Sequence, residues 1–165
     1  MKLRLVAGWA LGLASVAALG QMQANGGAGR STSKIEAVTF LYPEQVTIAA
    51  GKPATVTLHF SIRTGLHINS HTPSEEELIP TTLSIPDGFG VRLEGASYPP
   101  GTEFALPFAP KEKLSVYTGD FTIKAQIVAT PGDHMVEAKL RYQACDNNAC
   151  MPPRTITVAI DVIGK

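Results

Sequence analysis

Two cysteines, Cys145 and Cys150, lie with four residues between them in the block Tyr142 to Pro153 (YQACDNNACMPP), and no other cysteine occurs in the 165-residue chain. A pair at this spacing has three possible uses: a redox-active dithiol, a structural bridge, or soft ligands for a metal. The flanking residues set its frame. Val136, Ala138, Leu140 and Tyr142 alternate with Glu137, Lys139, Arg141 and Gln143 before it, and Ile156, Val158, Ile160 and Val162 alternate after it. This is the period-2 pattern of strands with one buried face, so the cysteines sit in the turn of a β-hairpin that Pro152 and Pro153 close. Continued phase puts Cys145 on the wet face of Lys139 and Arg141, leaving at least one sulfur near solvent.

The N-terminus bears on the redox compartment. Lys2 and Arg4, an apolar run from Leu5 to Leu19, and small residues at Ala18 and Gly20 read as a secretory signal peptide over residues 1–20. The run of about 15 residues falls short of the roughly 20 that span a bilayer. Export to an oxidising compartment favours a Cys145–Cys150 disulfide. Taking Lys2 and Arg4 from the 14 basic residues leaves about −2 against 14 acidic ones. That balance argues against nucleic acid as a partner. Residues 21–33, rich in Gly, Ala, Ser and Gln, lack periodicity and read as a disordered leader.

Residues 34–165 fit one domain. Short alternating segments recur at Val38–Phe40, Val46–Ile48, Val56–Ile62 with a continuation at Leu66–Ile68, Thr82–Ile85, Val91–Leu93, Leu114–Tyr117 and Phe121–Ile127. Thr118-Gly119-Asp120 between the last two reads as a hairpin turn, and Asn69–Glu77 as a polar loop outside the core. Gly95–Lys113, with four prolines and Tyr98, Phe104, Leu106 and Phe108, reads as a long working loop. Eight or nine strands without helices predict an all-β, antiparallel β-sandwich. An up-and-down barrel is the alternative.

A ring of about six residues restricts the unfolded chain by only roughly 2 kcal/mol, a poor return for a staple. On the residues alone, an exchange role and a structural role remain equal. His67 and His71 with Cys145, Cys150 and Met151 are ligand types that Cu(I) accepts, so an exported copper-binding protein is a third reading, although the histidines fit ordinary polar positions better.

The cysteine block, together with GLHINSHTP (Gly65 to Pro73), LIPTTL (Leu78 to Leu83), YPPG (Tyr98 to Gly101) and VYTGDF (Val116 to Phe121), resembles the N-terminal periplasmic domain of the transmembrane thiol:disulfide interchange protein DsbD. The likeness covers residues 35 to 163. It implies an immunoglobulin-like sandwich whose cysteine pair relays electrons from a membrane thiol:disulfide carrier to exported thioredoxin-like proteins, without a cofactor or metal. The chain is expected to act as a freestanding monomer. The resemblance further implies that the partner bonds to Cys150 while Cys145 resolves, an assignment that missing backbone donors around Cys150 also favour. It suggests an aromatic cap near Phe108, with Tyr142 and His67 as further neighbours of the pair and Glu103 as a candidate tuning acid. Asp146 would raise a nearby thiol pKa and Arg154 lower it, although both read more simply as solvated turn charges.

Overall fold

Alternation of apolar and polar residues is realised as twelve strands in the computed structural model, which describes residues 36–41, 44–107 and 109–165. In chain order they are β1 (Val38–Phe40), β2 (Glu44–Ile48), β3 (Ala54–Ile62), β4 (His67–Asn69), β5 (Thr82–Ser84), β6 (Val91–Ser97), β7 (Thr102–Leu106), β8 (Ala109–Tyr117), β9 (Asp120–Ala129), β10 (Gly132–Tyr142), β11 (Ala144–Cys145) and β12 (Arg154–Gly164). No helix occurs among the described residues. The signal peptide, the leader and Phe108 lie outside them.

Two four-stranded sheets form the sandwich, ordered β1-β3-β9-β6 and β2-β12-β10-β5. Val56, Leu58, Phe60 and Ile62 of β3 and Phe121, Ile123, Ala125 and Ile127 of β9 point inward from the first. Val136, Ala138, Leu140 and Tyr142 of β10 and Ile156, Val158, Ile160 and Val162 of β12 belong to the same core from the second. Each fully buried side chain of this size contributes about 1.5–3 kcal/mol. The hairpin read from the sequence is present: β10 and β12, both eleven residues long, pair from Gly132↔Gly164 to Tyr142↔Arg154. Strands pair antiparallel, except that β2 runs parallel to β12.

A third sheet, ordered β11-β4-β8-β7, positions the cysteines. The chain enters it after β3 through a turn in which Leu66 N donates to Arg63 O at 3.0 Å, with Gly65 at a φ of 82° that favours glycine. After β5 and β6 in the other sheets it returns for β7 and β8, and leaves again between β8 and β9. Here the expected hairpin at Thr118–Asp120 is corrected: β8 pairs with β4 and β7, whereas β9 pairs with β3 and β6. The turn is a corner between sheets. Across this corner Tyr117 and Phe121 are both buried, with ring centroids 5.2 Å apart.

Two further expectations change. Gly95–Lys113 is no long loop, because β6 continues to Ser97 and β7 pairs with β8 from Thr102↔Val116 to Leu106↔Ala109. Pro107 and Pro110 fall at the tip of this hairpin and Pro99 and Pro100 at its entry, positions where missing donors disrupt little pairing. The polar loop is exposed from Ser74 to Glu77, but Asn69 and Ser70 at its start are fully buried. Hydrogen bonds make that burial tolerable: Ser70 Oγ and Ser115 Oγ share one at 2.8 Å, and Thr81 Oγ1 donates to Asn69 O at 2.6 Å.

Candidate functional site: a disulfide turn between two sheets

Tyr142 is the last rung of β10 against β12. Beyond Gln143 the chain crosses to the third sheet, where Ala144 lies opposite Ile68 and Cys145 opposite His67. The crossing ends the alternation, because both faces of β11 are covered. Ala144 joins the core, and Cys145 is also buried, at 2% exposure, not on the wet face that an unbroken β10 phase predicts.

The return leg carries Cys150, which is exposed. Asp146 N donates to Ala149 O at 3.0 Å and Met151 N donates to Ala144 O at 2.8 Å. These two bonds flank the cysteines and make Cys145 and Cys150 a non-hydrogen-bonded antiparallel pair, the register in which opposite side chains come closest. The sulfurs are bonded at 2.04 Å, with the Cα atoms 3.9 Å apart. Asn147 and Asn148 make the two-residue tip, a composition suited to tight turns. Asp146 shapes it: one carboxylate oxygen accepts from Asn148 N at 2.7 Å and Ala149 N at 2.8 Å. Those bonds, with a smaller contribution from His67, hold its pKa below the ordinary carboxylate value.

Gln143 ties the turn to the third sheet. Its Oε1 accepts from Asn69 Nδ2 at 3.1 Å, while its Nε2 donates to Met151 O at 3.3 Å just past Cys150. Asn69 Nδ2 also donates to Ile79 O at 3.1 Å. The polar loop and both legs of the cysteine turn are thereby linked through two amide side chains.

His67 is the titratable group nearest the pair in the ladder, 2% exposed and directly across from Cys145. Its ring lies against Phe104, with centroids 4.4 Å apart. Its Nε2 is buried without a hydrogen-bond partner. Desolvation lowers its pKa, opposed by a smaller pull from the Asp146 carboxylate. An open cleft of 360 Å³ bounded by Arg63, Leu66, His67, Phe104 and Asn147 runs beside the turn.

The other expected site residues separate. Tyr142 is a core residue, with its hydroxyl near the Ala37 and Val38 amides but without a well-formed hydrogen bond. Phe108 lies outside the described residues. Glu103 pairs with Lys113 at 2.6 Å on the exposed side of the β7–β8 hairpin. Arg154 stands opposite Tyr142 at the base of the hairpin. His71 is stacked on Tyr98 at a centroid distance of 3.8 Å, and its Nδ1 donates to Thr81 O at 2.9 Å. Among the described residues no three His, Cys, Asp or Glu side chains gather as a metal site. Sequence reasoning missed Phe104, Gln143 and Asn69 as parts of the site. The alternation in Thr102–Leu106 was the signal for the first, and the prolines masked it.

A β-sandwich that carries a disulfide in a two-residue surface turn, one sulfur exposed and the other buried, defines the class: an all-β domain whose bridge is presented at the surface. The family model for the thiol:disulfide interchange protein DsbD, N-terminal, matches residues 37–162, and the chain belongs to that family. Domains of this family are in general periplasmic and interact with thioredoxin-like proteins, and the bonded cysteine pair fits thiol–disulfide exchange. Among solved structures, the DsbD N-terminal domain of Neisseria meningitidis in the reduced form is similar at 18% identity and a TM-score of 0.45, covering 66% of this chain and 77% of that one. AggA, the major subunit of aggregative adherence fimbriae type I from Escherichia coli, is similar at 10% identity and a TM-score of 0.33, covering 78% and 93%. No curated protein matches.

Proposed function

We propose that this protein is an exported electron relay that passes two electrons at a time through Cys145 and Cys150, from a membrane thiol:disulfide carrier to thioredoxin-like proteins of the periplasm. Residues 1–20 direct export, 21–33 form a leader, and 34–165 are the relay domain. The supporting observation is the asymmetry of the bridge: Cys150 is exposed and Cys145 is 2% exposed. A donor thiolate attacks Cys150 Sγ, the Cys145–Cys150 bond breaks, and its electron pair leaves on Cys145 Sγ as a thiolate. The donor's second thiol then attacks the donor sulfur of the mixed disulfide. The donor departs as a disulfide, and both cysteines of the relay are left reduced. Running the same steps in reverse against an oxidised partner delivers the electrons. The chemistry needs no metal or organic cofactor.

Trapping tests the assignment. A thioredoxin-like partner lacking its resolving cysteine, activated as a mixed disulfide with a small aromatic thiol, is mixed separately with reduced Cys145→Ser and Cys150→Ser proteins and run on a non-reducing gel. A stable adduct is expected from Cys145→Ser, which retains Cys150. An adduct from Cys150→Ser alone reverses the roles, and none from either returns the bridge to a structural one.

A further inference from the structure

We propose that His67 is the proton site of the cysteine pair: its Nε2 takes the proton from the Cys145 thiol when that thiol attacks and returns it when Cys145 leaves. The inference rests on the exchange reading above. It starts from a buried polar atom that lacks a partner in the disulfide form. His67 lies directly opposite Cys145, and opposite residues of an antiparallel ladder project from the same face. Phe104 lies against its ring, and Nε2 is buried from solvent with no hydrogen-bond partner in the protein. A disulfide sulfur carries no proton and no charge, so it offers this nitrogen little. Reduction changes that: a thiol donates to a neutral imidazole nitrogen, and a thiolate accepts from a protonated one. The unmatched nitrogen of the oxidised protein is thus the matched nitrogen of the reduced one.

The charged groups around the ring are few. Asp146 follows Cys145 in the turn, and Arg63 reaches the shared cleft from the β3–β4 turn. Phe104, Leu66, Thr118 and Asn147 supply only neutral surface, and Glu103 is engaged by Lys113 on the exposed side of its hairpin. Burial keeps the imidazole neutral at rest, which makes it a base, while Asp146 partly offsets that burial once the proton arrives. In the resolving step, Cys145 S–H gives its proton to Nε2 and its sulfur attacks Cys150 Sγ. The Cys145–Cys150 bond forms, the bond from Cys150 to the partner breaks, and the electron pair leaves on the partner sulfur. The imidazolium then releases its proton to that thiolate or to water.

Two measurements test this. The ring nitrogens of His67 are followed by NMR against pH in the oxidised and reduced wild-type protein. Separately, Cys145 is titrated by thiolate ultraviolet absorbance in the Cys150→Ser protein, with and without His67→Phe. The His67 pKa should be higher in the reduced protein by about one unit or more, since a neighbouring thiolate favours the imidazolium, and His67→Phe should raise the Cys145 pKa by about as much. If dithiothreitol reduces the pair but the His67 titration is the same in both redox states, this proposal fails and the relay stands. An unchanged Cys145 pKa in a folded His67→Phe protein has the same meaning. A pair that resists reduction altogether removes the relay, and this proposal with it.

Discussion

At the scale of single residues, Phe104 and Asp146 flank the disulfide and act by different physics. Phe104 is half-buried, and its ring shields His67 on the face that also carries Cys145. Phe104→Ala should therefore cost only about 1–2 kcal/mol of stability, in proportion to the apolar area it covers. The same change should speed reduction of the pair by dithiothreitol by about twofold or more, because it opens Cys145 Sγ as a second point of attack beside the exposed Cys150. A loss above about 3 kcal/mol with an unchanged reduction rate would mark the ring as core filling and not as a cover. Asp146 acts through hydrogen bonds to Asn148 N and Ala149 N. Its folded pKa is depressed, so its contribution is fully present above the unfolded value of 3.8 and is lost as pH falls through the lower, folded value. The turn should keep its shape throughout the neutral range. The amide proton shifts of Asn148 and Ala149 should titrate together with a midpoint below 3.8, and a midpoint at or above that value would contradict the bonding.

At the scale of elements, the site depends on β10 handing the chain to β11, and Gln143 is the residue that joins them. Its amide holds Asn69 of β4 on one side and the carbonyl of Met151 on the other. Gln143→Ala should leave the β10–β12 ladder intact, since Tyr142↔Arg154 precedes it, but should free the leg that carries Cys150. Hydrogen exchange at Met151 N should then accelerate while exchange within β10 and β12 stays slow. Equal acceleration in all three would mean that Gln143 supports the whole hairpin. The same junction shows what the sequence makes legible. Strands with one buried face are readable because the alternation is enforced by water, as in Val136–Tyr142 and Ile156–Val162. The choice of sheet is not, because a corner at Gly119 and a two-residue hairpin there have the same local chemistry and differ only in long-range pairing. The pairing of Cys145 with Cys150 was readable from spacing and compartment. The burial of Cys145 was not, because Ala144 keeps the inward phase of β10 while β11, unlike β10, is buried on both faces. The aromatic cover expected at Phe108 falls outside the described residues; the ring found against His67 is Phe104, four residues earlier on a strand that four prolines disguised as loop.

At the scale of the whole molecule, the proposed relay requires a domain that is folded in both redox states. The core is built mainly from β3, β9, β10 and β12, and neither cysteine belongs to its cluster of apolar side chains. The bridge closes a ring across a sequence separation of 5, which by loop entropy stabilises the fold by only about 2 kcal/mol. A domain of this size responds to such a change with a Tm shift of about 5–10 °C. Reduction should therefore lower the Tm by that amount and leave a single cooperative transition, with the far-ultraviolet circular dichroism of the folded protein unchanged at room temperature. Cys145→Ser with Cys150→Ser should match the reduced wild type, except for any cost of placing a hydroxyl at the buried Cys145 position, which the single variant Cys150→Ser avoids. Calorimetry of the oxidised protein, the reduced protein and Cys150→Ser decides the matter. Unfolding on reduction would show the bridge to be a staple on which the fold depends, and a pair with that role could not cycle.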